Sequence, residues 1–266
     1  MRSLHHDIDD LESRDPAFIE RLLPFIERTL IPWHRAEVRG VDRVPDGPAL
    51  FVGNHSGGMM TVDSVIFGAA VLRAHGFGGL PWGLGHSLPL QVPGLSTLLG
   101  RIGAVRACDD NAGRLFAAGR KVLVYPGGDI EAMRPFRERN LIKFGGRIGY
   151  MRTALRYGVP VIPVVGEGSH AAFFVIDDLP WLARMIGAAR FLRIKVWPAT
   201  ITFPWGLTLG PPPPYLPMPV KITMEILAPI HFERSGEEAA HDDAYVHDCD
   251  RLVRDQMQAT LDRLAA

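Results

Sequence analysis

Four short apolar runs, each ending in a polar or glycine-rich cap, constrain this chain more than any other feature. One spans Ala49 to Gly53 and ends in Asn54-His55, and a second ends in Arg106. "KVLVYPGG" ends in Pro126-Gly127-Gly128, and "VPVIPVVGEG" ends in Gly166-Glu167-Gly168. Helical patterns lie between them: Thr61 to His75, "DDNAGRLFAAGR" with acidic residues in its first turn, and "GGRIGYMRTALRYG" closed by Gly158. Buried strands alternating with helices predict an α/β fold: a single domain with a mostly parallel, mixed central sheet flanked by helices. In such open sheets ligands gather beyond the C-terminal ends of the strands, where the polar caps fall.

The rest of the chain is less regular. Phe18, Leu22, Leu23, Phe25, Ile26, Leu30 and Ile31 recur at helical spacing, with Pro24 and Pro32 as kinks or stops. The reading is an amphipathic helix that either packs on its own domain or lies in a membrane interface with Trp33 at headgroup depth. Arg21, Arg28, His34 and Arg35 decorate it, and residues 1–15 read as a disordered lead-in. Residues 1–35 thus form a lead-in with its helix, and residues 36–266 the α/β domain. "LPWLARMIGAARFLRI" reads as a helix, and "VKITMEIL" as a strand. "TFPWGLTLGPPPPYLPMP" is too rich in Pro and Gly for regular structure. Leu252, Val253, Gln256, Met257, Thr260, Leu261 and Leu264 form one face of a C-terminal helix.

Composition excludes several classes. Lys+Arg and Asp+Glu are both 29 in 266 residues, so no strong field invites nucleic acid. Cys108 and Cys249 have neither metal nor redox spacing and read as reduced thiols. No metal site or phosphate-binding Walker loop is present in the pattern; "GEGSHA" lacks the lysine and the spacing. The polar, acidic N-terminus is unlike a signal peptide, and no apolar run is long enough to span a bilayer. The expectation is a cytoplasmic protein resting peripherally on the inner face of the cell membrane.

A histidine at a strand mouth suits general-base chemistry, because its ordinary pKa leaves it mostly neutral at pH 7. His55 needs a group to orient its ring, and Asp63 is the local carboxylate. Eight residues of continuous helix would separate the two by roughly 12 Å along the axis. "SGGMM" must therefore loop out, which Gly57 and Gly58 permit, leaving Thr61 to cap the next helix and Asp63 in its first turn. Alternatively, Asp63 only stabilises that helix N-terminus and another carboxylate serves His55.

"NHSGGMMTVD" resembles the Asn-His-x4-Asp box of the glycerolipid acyltransferases, the lysophosphatidate and glycerol-phosphate acyltransferase superfamily, with seven residues here in place of four. "LLGRIGAVRA" resembles that family's Gly-x-x-x-Arg block, giving Gly103 and Arg106. "VLVYPGG" and "VPVIPV" resemble its third and fourth blocks. "PGGDIEAM", "VVGEG" and "KFGGRIGYMRTALRYG" are similar to the diacylglycerol acyltransferase type-two branch, where Glu131 takes the acidic role and Glu167 is a second candidate.

The resemblance implies attack of a lipid hydroxyl on an acyl thioester. The co-substrate would be acyl-CoA or acyl-carrier protein, with no resident cofactor, and the membrane surface would supply the acceptor. His55 is then the base and Asp63 its orienter. Asn54, Gly57, Gly58, Arg106, Gly127, Gly128, Glu131, Arg134 and Glu167 become candidates for binding substrate, with the glycine turns offering N–H groups to the developing oxyanion. Arg106 would take a phosphate, with Arg134 as the weaker candidate; Glu131 would orient an acceptor hydroxyl or stand as a solvated turn residue. His86 reads as a loop histidine. Residues around Trp205 line an acyl groove, touch lipid, or form a packed loop. The competing functions are a lipid ester or thioester hydrolase, disfavoured by the lack of a Gly-x-Ser-x-Gly elbow, and a non-catalytic lipid-binding protein.

Overall fold

The computed structural model describes residues 7–58, 61–191 and 195–266. The strands are β1 (Glu37–Arg39), β2 (Ala49–Gly53), β3 (Trp82–Gly85), β4 (Ala104–Arg106), β5 (Lys121–Val124), β6 (Val161–Glu167), β7 (Phe174–Asp177), β8 (Ala199–Thr202), β9 (Gly206–Leu209) and β10 (Thr223–Ile226). The longer helices are α1 (Pro16–Phe25), α2 (Val62–Gly79), α3 (Asp109–Ala117), α4 (Gly149–Tyr157) and α5 (Asp243–Ala265). Among the described residues one seven-stranded sheet runs β1-β10-β6-β2-β5-β3-β4. Strands β6, β2, β5, β3 and β4 are mutually parallel; β10 lies antiparallel to β6, and β1 follows β10.

Burial on both sheet faces explains why the central strands read as unbroken apolar runs. Leu50 and Val52 of β2 face a core with α3, α4 and α5, through Leu115, Met151 and Val253. Ala49 and Phe51 face the opposite core with Ile66, Phe67 and Val71 of α2. Helix ends follow local chemistry. Asp15 accepts the Phe18 N–H at the start of α1, Asp242 accepts that of Tyr245 in α5, and Gly158 ends α4 in the left-handed region. Thr61 occupies the position before α2, but its side chain makes no capping bond.

Several expectations change. The described part of the lead-in packs down: Asp9 pairs with Arg106, and the Arg14 guanidinium sits 4.2 Å over Trp82. Residues 1–6 lie outside the described residues. Helix α1 buries Ile19 and Leu23 against Ala69 and Leu72, while Phe25 and Trp33 stay exposed. His34, read as a surface residue, is buried, with Nδ1 3.2 Å from the Val220 carbonyl. "TFPWGLTLG" holds regular structure after all: β8 and β9 form a hairpin that joins β7 in a three-stranded antiparallel sheet. Pro204 and Trp205 fall in its turn, where proline costs no ladder bond. The single helix expected after Leu179 is two short ones, Pro180–Met185 and Ala188–Phe191. On α5, Val253, Met257, Thr260 and Leu261 are buried as the pattern predicts, but Leu252 is exposed.

Candidate active site

The parallel strands deliver His55, Arg106, Tyr125 and Glu167 to one edge of the sheet. His55 opens the loop after β2. Its half-buried ring lies 5.1 Å from the Tyr125 ring, and its Nδ1 is sealed from solvent without a hydrogen-bond partner. Burial, reinforced by the nearby Arg134 charge, pulls the imidazole pKa down to about 4. His55 is therefore neutral at pH 7 and able to accept a proton.

The loop is held through its backbone. The Glu131 carboxylate accepts the His55 N–H at 2.8 Å with one oxygen and the Lys143 N–H at 2.9 Å with the other. The Arg134 guanidinium donates to the His55 carbonyl at 2.7 Å and the Ser56 hydroxyl at 3.2 Å. Its other donations go to the carbonyls of Glu131, Glu138 and Arg139. Those five bonds use every N–H a guanidinium has. Glu131 and Arg134 are both fully buried. Burial raises the Glu131 pKa and Arg134 opposes that shift. The expectation that these two contact substrate is thus corrected: neither has an open face, and both position the histidine loop.

Asn54 is likewise occupied. Its amide donates to the Gly166 carbonyl and accepts the Gly166 N–H, both at 2.8 Å, stitching the ends of β2 and β6. Gly57 and Gly58 have φ of 76° and 75°. A Cβ on Gly57 would stand 2.8 Å from the Ser169 carbonyl oxygen, and one on Gly58 would stand 2.6 Å from the Phe173 ring. Both positions thus need glycine for conformation and for space.

Asp63 enters the first turn of α2 as expected and is 1% exposed. Its carboxylate accepts the Ser64 N–H at 2.8 Å and the Ser169 hydroxyl at 3.1 Å. Ser64 Oγ lies 2.5 Å from the Tyr125 hydroxyl. Asp63 and His55 therefore share Tyr125 as a neighbour but form no hydrogen bond with each other. Burial raises the Asp63 pKa to about 6, against the lowering effect of the Ser64 and Ser169 bonds. At pH 7 the carboxylate is mostly ionised.

The remaining candidates scatter. Gly127 packs so closely on Glu131 that a Cβ would meet its side chain at 2.3 Å, and the Gly128 N–H is given to the Tyr125 carbonyl. Arg106 is tied to Asp9 at 2.6 Å. Glu167 is half-buried, with a pKa raised by burial, and lines a depression together with Ser56, Arg139 and His170. Sequence reasoning missed Tyr125, Ser169, Arg139 and His170. The tyrosine and the serine-histidine pair did stand directly after β5 and β6, where a systematic reading of strand ends would have found them. Among the described residues, no group of three His, Cys, Asp or Glu could hold a metal ion, and no helix is long and apolar enough to cross a membrane.

Residues 35–167 match the family described as Acyltransferase. An uncharacterized protein of Mycobacterium tuberculosis is 30% identical over 95% of this chain and 68% of its own length. The mouse DGAT1/2-independent enzyme synthesizing storage lipids is 28% identical over 74% of this chain and 57% of its length. The fold matches the crystal structure of the 1-acyl-sn-glycerophosphate (LPA) acyltransferase PlsC from Thermotoga maritima. The TM-score is 0.57 and the identity 15%, covering 93% of this chain and 80% of that one. The chain belongs to the acyltransferase family within the glycerolipid acyltransferase superfamily, and it is an acyltransferase.

Proposed function

We propose that the enzyme moves a fatty acyl group from acyl-CoA or acyl-carrier protein to a hydroxyl of a lysophospholipid, glyceride or other lipid alcohol. His55 removes the hydroxyl proton as the oxygen attacks the thioester carbonyl. The C–O bond forms, the C–S bond breaks as the tetrahedral intermediate collapses, and the imidazolium returns its proton to the departing thiolate. Base catalysis of this kind contributes ~10²–10⁴ in rate. The ionised Asp63 carboxylate holds the Tyr125 side of the site through Ser64, while Asp129 is the carboxylate whose charge favours the imidazolium. With the Gly128 N–H already spent, the Gly57-Gly58 turn is the better source of donors for the oxyanion.

The observation that carries the reading is the neutral His55, with its Nδ1 unpartnered, in a loop whose backbone is held from both sides. Arg139, exposed beside Ser56 and Glu167, offers a cation to the phosphate of a donor or acceptor. The storage-lipid activity named for the mouse relative favours a neutral glyceride acceptor. The test is transfer from labelled acyl-CoA and acyl-carrier protein to lysophosphatidate, monoacylglycerol, diacylglycerol and long-chain alcohols, for wild type and His55→Ala. Acylated product that disappears in the variant supports the base. Undiminished turnover in His55→Ala refutes it, and release of free fatty acid alone makes the protein a hydrolase.

A further inference from the structure

The three-stranded sheet β7-β8-β9 inverts the usual arrangement of a half-buried antiparallel sheet. Such sheets normally turn apolar side chains inward and polar ones to water. Here Thr200 and Thr208 pair by their hydroxyls at 2.6 Å, with Thr200 buried, while the neighbouring register row Phe174–Ile201–Leu207 faces outward. Leu207 is 73% exposed and Leu209 62%. Trp205, at the hairpin turn, is 53% exposed with its indole N–H given to the Pro214 carbonyl. Next to the sheet, Trp181 is exposed as well. This is a contiguous apolar surface rather than scattered residues.

Beyond Asp178, the charge along the segment that carries it has one sign. No Asp or Glu occurs between Asp178 and Glu225, whereas Arg184, Arg190, Lys195 and Lys221 in that interval are exposed. Asp177, at the edge of the sheet, is paired with Arg137 at 3.3 Å. An apolar face flanked by tryptophans and followed in sequence by cations, whose one sheet carboxylate, Asp177, is paired with Arg137, complements an anionic lipid surface. The opposite side of the same segment reaches the site. Phe173, Val175 and Tyr215 pack on Ala132 and Met133, and the Tyr215 hydroxyl donates to the Gly57 carbonyl at 2.8 Å.

We propose that the outward face of β7-β8-β9 seats the enzyme on a membrane containing anionic lipid, directly over the His55 loop. This rests on the proposed function only for the origin of the acceptor in that membrane. The docking itself is independent of turnover.

The test is flotation of the full chain with phosphatidylcholine vesicles and with vesicles that also contain phosphatidylglycerol, using wild type and the double variant Leu207→Glu/Leu209→Glu. Wild type should float with the anionic vesicles. The variant should lose about five-fold or more of the bound fraction, and Arg184→Glu/Lys195→Glu should weaken anionic binding further than neutral binding. Both leucines are solvent-exposed, so an unchanged thermal midpoint certifies that the variant is folded. Equal flotation of the folded leucine variant overturns the proposal. So does a wild-type dimer that the leucine variant converts to monomer, because the face then covers a second copy. Transfer to monoacylglycerol presented in detergent micelles, where no bilayer is needed, should be equal in the two proteins; absence of transfer in both to every acceptor of the panel would refute the acyl-transfer reading while leaving the flotation result intact.

Discussion

Glu131 holds His55 by its main chain: the carboxylate, fully buried, accepts the His55 N–H at 2.8 Å while its second oxygen takes the Lys143 N–H. Glu131→Gln keeps the shape but turns one acceptor into a donor facing a backbone donor. The expected loss is about 1–3 kcal/mol of stability, read by urea unfolding, because a buried N–H is left unmatched. The kcat should fall more than KM rises, since the loop carrying the base is displaced and substrate contacts are not.

Arg134 supplies the other half of that clamp, and lysine cannot replace it. An ammonium has three donors and no fork to reach Ser56, His55 and Arg139 together. Arg134→Lys should destabilise by about 3 kcal/mol or more, as expected when a buried charged network is broken. Denaturant unfolding of the variant checks this.

Glycine need at the loop is separable from glycine need elsewhere. Gly58→Ala meets both a φ of 75° and the Phe173 ring, whereas Gly119→Ala meets a φ of 69° with nothing within 4 Å of its Cβ. Gly119→Ala should cost about 1–2 kcal/mol for the left-handed backbone alone. Gly58→Ala should cost measurably more, and calorimetric midpoints of the two variants rank them.

The pH dependence has two parts. In turnover, the base form of His55 is present above about pH 4, so the acid limb is set by Asp63, whose pKa is about 6. The kcat/KM should rise through pH 6, and Asp63→Asn should remove that limb while lowering the plateau. In stability, His55 and His170 sit at about 4 and about 3, below the ordinary histidine value, because burial and Arg134 disfavour their cations. The unfolded chain therefore binds more protons than the folded one below about pH 6.5, so both groups make stability fall as pH falls from there toward their folded values. Asp63, raised by burial, acts oppositely between its unfolded value and about 6. His170→Asn should flatten the net acid-side decline, followed by thermal melts at intervals of pH.

The central strands were legible because burial on both faces writes itself as Val, Ile, Leu and Phe in sequence, as in β2 and β6. Gly158 was legible as a stop because only its left-handed backbone closes α4. The positions of His55 and Asp63 at the sheet edge followed from the loop that the glycines permit. Glu131 and Arg134 were not legible in their true role. Two charged residues after a glycine turn look solvated, and their partners lie far along the chain at His55 and Ser56. The β8-β9 hairpin was hidden for a different reason: its apolar side chains face out, so its alternation does not mark a core.

Both halves of the clamp on residue 55 fall on main-chain atoms, the N–H and the carbonyl. That cradle does not recognise the side chain it carries. The frame should therefore persist when the side chain at position 55 is changed. A cysteine grafted at position 55 would test whether the same scaffold can host a thiol nucleophile in place of a base.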